Sequence, residues 1–253
     1  MTIIAVDRAR LFYETIGSGK PVLLIHGLGL DHSIWKPMVK LFSQERQFIL
    51  PDIRGQGRST LGAGYGELDQ IAEDLVRLLD ELRIEKAVLA GHSMGGYIAL
   101  AFAEKHMDRL AGLALVTSNA RADSPDKRQA RLKDARRSLD EGVSFVAANM
   151  APKLTRSKTI VKHLQKMIER TGPAGMSNVL MAIANRENQL QMLANLAVPT
   201  MAIFGVDDQI ALQGVDTEIE QANPQVKVIR LPGVGHMPML EAPLALGALL
   251  LTV

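Results

Sequence analysis

Apolar positions along this chain follow two rhythms. Short runs of strand length recur at residues 3–6, 11–16, 22–25, 47–50, 87–90, 113–116, 200–204 and 226–231. Most are continuous rather than alternating, as expected for parallel strands covered on both faces. The first two lie close enough in sequence to pair as a hairpin. Between the runs, apolar residues recur at helical spacing; Ile71, Leu75, Leu78, Leu79 and Leu82 are one such set. Strand and helix in alternation predict an α/β fold, a mostly parallel central sheet covered by helices on both faces.

The alternation stops between residues 119 and 195. Ser124-Pro125-Asp126 reads as a helix start, a capping hydroxyl followed by proline at the first helical position. Ile160, Leu164, Met167 and Ile168 make one apolar face. Gly172-Pro173 opens another helix, with Met176, Val179, Leu180 and Ile183 turned inward. Pro199 then begins a strand again. The pattern divides the chain into a core, residues 1–118 and 196–253, and a helical insertion, residues 119–195. The insertion is expected over the C-terminal edge of the sheet, where open α/β sheets place their sites.

Composition removes several function classes. A chain of 253 residues, 47% hydrophobic and 22% charged, suits one soluble globular unit. No apolar run reaches the ~18 residues of a membrane helix, and the opening MTIIAVDRAR lacks a secretory pattern. The absence of cysteine excludes disulfides, a thiol nucleophile and thiolate metal sites, and fits a cytoplasmic protein. A net charge of +2 is too small to argue for nucleic acid.

Candidate chemistry begins at VLAGHSMGGY, residues 88–97. An apolar run ends there and a helical one starts, so the turn between them is tight. Gly91 and Gly95 remove side chains that would collide in it. Such a turn holds Ser93 in a strained conformation with its hydroxyl outward, the G-x-S-x-G elbow. A glycine-rich strand-to-helix turn also suits phosphate, but no Lys or Arg lies in it.

Acyl transfer by a serine needs a base, a carboxylate to orient that base, and amide donors for an oxyanion. LPGVGHMP after the last run offers His236 as base. His106 and His163 sit in polar helical contexts, His32 has no motif, and His92 is expected to pack or hydrogen-bond inside the elbow. FGVDDQI after the preceding run offers Asp207 or Asp208 as the acid. IHGLG, after an early run, supplies glycines that let backbone approach a ligand. The donors would be the main-chain N–H groups of Leu28 and Met94. Flanking residues His26, Gly27, Trp35 and Met237 are candidates for the substrate pocket.

With these residues in view, the chain resembles the α/β-hydrolase superfamily along nearly its whole length. HGLG at 26–29, PDIRGQGRS at 51–59, GHSMGG at 91–96, GVDD at 205–208 and GVGHMPMLEAP at 233–243 match family segments in the family's order. The resemblance implies the chain order Ser93, Asp208, His236 and settles the acid on Asp208, because the family writes it G-x-x-D. It makes Asp52 to Ser59 a structural turn beside the site and residues 119–195 a cap. Haloalkane dehalogenases and epoxide hydrolases carry Asp where Ser93 stands, so those reactions are not expected. Among serine branches the chain is similar to small carboxylesterases and enol-lactonases, including esterases of acyl-carrier-protein methyl esters and cofactor-free perhydrolases. The expected reaction is hydrolysis of a small ester or lactone without metal or cofactor. C–C bond hydrolysis, perhydrolysis and a non-turnover ligand receptor are the rivals.

Charge adds one feature. Residues 119–195 hold fourteen Lys and Arg against seven Asp and Glu, so the insertion is strongly basic within a nearly neutral chain. Lys158, Lys162, Lys166 and Arg170 repeat every four residues and form one stripe on a helix. The stripe is either a solvated face or a surface that steers an acidic substrate or an acyl carrier protein.

Overall fold

A computed structural model describes residues 2–62, 67–211 and 213–253. Eight strands appear among them: β1 (Thr2–Val6), β2 (Ala9–Ile16), β3 (Pro21–Ile25), β4 (Gln47–Pro51), β5 (Ala87–His92), β6 (Leu110–Val116), β7 (Thr200–Gly205) and β8 (Lys227–Leu231). Each coincides with one of the apolar runs. They form a single sheet in the order β1-β2-β4-β3-β5-β6-β7-β8. β1 and β2 pair as the expected hairpin, with Val6 opposite Ala9, and β2 runs antiparallel to β4. All pairings from β4 to β8 are parallel.

The helices are α1 (Lys36–Phe42), α2 (Leu68–Glu81), α3 (Met94–Lys105), α4 (Pro125–Glu141), α5 (Ser144–Leu154), α6 (Lys158–Glu169), α7 (Pro173–Ala184), α8 (Leu190–Ala194), α9 (Val215–Ala222), α10 (Pro238–Glu241) and α11 (Pro243–Leu250). Strand β3 shows why the apolar runs are continuous. Leu23 and Ile25 point into the core shared with α2, α3 and α9. Val22 and Leu24 point the other way, into the core shared with α1 and α11. Both faces are buried, so polar residues have no place in the strand.

Between β6 and β7 come α4 to α8 and no strand, as the loss of alternation predicts. Ser124 caps α4 by accepting the Lys127 amide, and Pro125 takes the first helical position. Leu164, Met167 and Ile168 of α6 and Met176, Val179, Leu180 and Ile183 of α7 are buried where the periodicity put them. No described helix is long and apolar enough to cross a membrane.

The registers align the C-terminal ends of the central strands. Ile25 pairs with Gly91, Gly91 with Leu115, Leu115 with Ala202, and Gly205 with Leu231. The loops that follow β3, β5, β6, β7 and β8 therefore leave the sheet along one edge.

Candidate active site

Ser93 stands between β5 and α3 with φ 52 and ψ −115, backbone that a serine rarely adopts. The neighbours impose it. A Cβ on Gly91 would strike the Gly95 carbonyl, and one on Gly95 would strike the Ile25 carbonyl. The Ser93 amide donates to the Val116 carbonyl at 2.9 Å, and Ser118 Oγ donates to the Ser93 carbonyl at 2.7 Å. The strained residue is thus pinned from both sides by β6 and its following loop.

His236 is buried, and its Nδ1 lies 2.7 Å from Asp208 Oδ2. The other Asp208 oxygen accepts the amides of Ile210 and Ala211 at 2.7 and 3.1 Å. Burial by itself would raise the Asp208 pKa. The hydrogen bond and charge of His236, with those two amides, outweigh it and hold the carboxyl below its ordinary range. Asp207 turns the other way, to Arg156 at 3.1 Å on the surface. The carboxylate on the histidine is therefore Asp208. With Nδ1–H given to Asp208, the neutral ring leaves Nε2 bare as an acceptor.

Three contacts fix the His236 main chain. Its amide donates to the Leu154 carbonyl at the end of α5, at 3.0 Å. Its carbonyl accepts from His92 Nε2–H at 2.9 Å and lies 3.2 Å from Thr117 Oγ1. His92 is fully buried, and burial together with the neighbouring His236 depresses its pKa to about 3. It remains a neutral donor, which gives the elbow histidine a definite task.

Ser93, His236, Leu28 and Met94 all border one cavity of about 370 Å³, within the usual size range for small-molecule sites. Met94 is the first residue of α3, so its N–H has no acceptor inside the helix and lies at the positive end of the helix dipole. In the HGLG loop the Gly29 amide is taken by Gln56 Oε1 at 2.9 Å and the Leu30 amide by the Gly27 carbonyl at 3.2 Å. Leu28 and Leu30 both line the cavity, and of the loop amides those of Gly29 and Leu30 are thus already bonded. The loop is braced by the turn that follows β4: the Ile53 amide donates to His26 Nε2, and Asp52 accepts the amides of His32 and Arg58. Arg54 makes a buried two-pronged pair with Asp74 at 2.7 and 2.8 Å.

The four pocket candidates are not among the residues that line this cavity. His26, Trp35 and Met237 are fully buried, and Gly27 packs against the His92 ring. The lining instead draws on Tyr97, Asn119, Phe145, Asn149, Lys127 and Lys153, none of which a motif marks. Asp31, His32 and Asp52 bring three ligand-type atoms together. Those groups are already engaged: Asp31 caps Ser33, and Asp52 Oδ1 takes both the amide and Nδ1 of His32.

Residues 20–243 match the sequence model of the alpha/beta hydrolase fold. The chain belongs to the α/β-hydrolase family. Among solved α/β-hydrolase relatives, a thermophilic esterase from Thermogutta terrifontis, with malate bound, is 33% identical. It superposes with a TM-score of 0.94 over 99% of this chain and 97% of that one. An enol-lactonase from Burkholderia xenovorans LB400 is 26% identical, with a TM-score of 0.90 over 99% and 98% of the two chains. A pimeloyl-[acyl-carrier protein] methyl ester esterase from Edwardsiella ictaluri is 27% identical over 92% of this chain and 93% of its own.

Proposed function

We propose that this α/β-hydrolase cleaves a carboxylic ester or lactone through an acyl-enzyme on Ser93. One observation carries the reading: a serine held at φ 52 opens onto the same cavity as a buried histidine whose Nδ1 is bonded to a carboxylate. Ser93 Oγ attacks the carbonyl carbon while His236 Nε2 takes its proton. Asp208 holds the ring in the tautomer that exposes Nε2 and favours the imidazolium that forms. The amides of Leu28 and Met94 receive the developing oxyanion. His236 then returns the proton to the leaving alcohol, and water repeats the sequence to release the acid. The residues so used require neither metal nor cofactor.

Residues 119–195 serve as a cap over the core formed by 1–118 and 196–253. The cap's basic surface suits an acidic substrate or an acyl carrier protein, as the relative named for such an ester supports. The lack of cysteine suits a cytoplasmic setting.

The test is labelling with a serine-directed fluorophosphonate alongside turnover of p-nitrophenyl acetate. A single label on Ser93, and loss of both label and turnover in Ser93→Ala, are expected. Labelling that persists in Ser93→Ala defeats the reading.

A further inference from the structure

The cavity beside Ser93 has an excess of positive charge. Lys127 and Arg131 from α4 and Lys153 from α5 line it, against one acid, Asp134. The pairing behind this lining is uneven. The Asp123 side chain is fully buried, and each of its oxygens is taken by a guanidinium: Arg131 Nε on Oδ2 and Arg186 Nη2 on Oδ1 at 2.9 Å. Lys127 stands 4.0 Å from the same carboxylate and has no shorter partner among the described residues. Three cations thus share one carboxylate. Burial first, and the charge of Arg131 next, lower the Lys127 pKa, the expected response of an ammonium group short of counter-charge. Lys153 is exposed at the cavity lining and forms no salt bridge among the described residues.

The rest of the lining says what kind of anion fits. Leu28, Leu30, Val146, Leu180 and Ile183 are apolar and line the same cavity as Ser93. A ligand that satisfies both features has a reacting ester, a short hydrocarbon stretch and a terminal anion. We propose that Lys127, with Arg131 and Lys153 beside it, forms a carboxylate subsite, and that the substrate is an ester or lactone bearing a second carboxylate. Monoesters of short dicarboxylic acids are the simplest members of that class. The inference rests on the serine-hydrolase reading for the reacting end alone. A folded carrier protein would meet the exposed stripe of α6, whereas Lys127, Arg131 and Lys153 line the cavity itself.

The experiment compares monomethyl succinate, glutarate and adipate with methyl butanoate, pentanoate and hexanoate at low ionic strength. It uses wild type, Lys127→Gln, Lys127→Arg and, as a control on the exposed stripe, Lys162→Gln. A fixed cation selects one chain length, so one monoester is expected to exceed its neutral partner in kcat/KM by about ten- to hundredfold, the scale of a charged hydrogen bond. Lys127→Gln removes most of that preference by raising KM of the acid ester, since the carboxylate is bound equally before and during reaction. Lys127→Arg retains most of it, and Lys162→Gln leaves it unchanged. No preference at any length in wild type, survival of the preference in Lys127→Gln, or equal loss in Lys162→Gln overturns the subsite. If wild type turns over none of the six esters, the hydrolase reading fails instead. Calorimetric binding of glutarate to wild type and Lys127→Gln then decides the subsite alone: weaker binding to the variant supports it, and equal binding overturns it.

Discussion

The floor of the site and its roof are built on different principles. On the floor, every residue proposed to react follows a strand: Ser93 after β5, Asp208 after β7, His236 after β8, and the Leu28 loop after β3. Parallel pairing sets where those strand ends lie, so the chemistry is placed by the same hydrogen bonds that build the sheet. The roof is helical. Its cavity-facing residues sit on α4, α5 and α7, whose approach to the floor depends on side-chain packing and on single links such as the His236 amide to the Leu154 carbonyl. In the proposed reading the floor sets the reaction and the helical lining sets what fits beside it.

The largest expected effect tests the floor. Ser93→Ala should lower kcat by about 10⁴-fold or more with the fold intact, because the helix cap and sheet contacts of that position are main-chain bonds. Circular dichroism and residual turnover measure the two parts. A residual rate within tenfold of wild type would move the nucleophile elsewhere.

The next effect divides two adjacent carboxylates. Asp208→Asn should cost about 10⁴-fold in kcat, because the amide donates to His236 Nδ1 and leaves Nε2 protonated. Asp207→Asn removes only a surface pair with Arg156, an interaction worth about 1 kcal/mol or less, and should change kcat by less than about threefold. Steady-state kinetics of both variants decide it, and a reversed order of damage would transfer the acid's role to Asp207.

This contrast also explains what the sequence reveals. All eight strands were legible, because a strand buried on both faces has no polar positions to blur the pattern. Ser93 and His236 were legible because glycine and proline mark the turns that hold them. Asp207 and Asp208 were not separable from residue type alone; the G-x-x-D pattern pointed to Asp208, and the way the turn closes, with amides 210 and 211 on Asp208, gives the physical difference between them. The roof was legible as helix but not as lining. Helix α4 buries only Ala135 and Ser138 along its length, so no apolar periodicity shows which side faces the cavity. Lys127 and Arg131 therefore look in the sequence like any solvated pair. The conspicuous cations, Lys158, Lys162, Lys166 and Arg170, lie exposed on α6 and outside the cavity lining. Regular spacing draws attention to an exposed face, not to the lining.

A third effect is carried by pH and returns to the floor. The folded pKa of His92, about 3, lies below the ordinary 6.5. Between those values the unfolded chain binds a proton that the folded chain refuses, so stability falls as pH drops through that window. From pH 7.5 to 5 the loss through His92 amounts to about 2 kcal/mol. His26, also depressed by burial, adds to the loss, while His32, raised by Asp52 against its own burial, opposes it. The hydrogen bonds of His26 to Gly27 and Ile53 and of His32 to Asp52 do not involve His92, so most of their contribution cancels when His92→Gln is compared with wild type. Urea unfolding at both pH values should show a loss about 2 kcal/mol smaller in His92→Gln. Equal losses would mean that the buried ring is protonated in the folded state.

The smallest effect belongs to the roof's outer face. Lys158→Glu/Lys162→Glu/Lys166→Glu reverses three exposed charges on α6 and should change folding stability by little, about 0.5 kcal/mol per site at most. At 0.15 M salt the Debye length is about 8 Å, so charges outside the cavity act weakly on a small ester within it. Its kcat/KM should stay within about twofold, for neutral and acidic methyl esters alike. An acidic carrier protein differs, because it approaches as a large charged body and feels the whole stripe during encounter. Its association rate should fall about tenfold in the triple variant at low salt, and the difference should shrink as salt is raised. Stopped-flow association across a salt series reads this directly. If carrier association is unchanged while the acidic small ester loses its preference, the stripe and the cavity cations act as one field, and the separation of roof surface from roof lining does not hold.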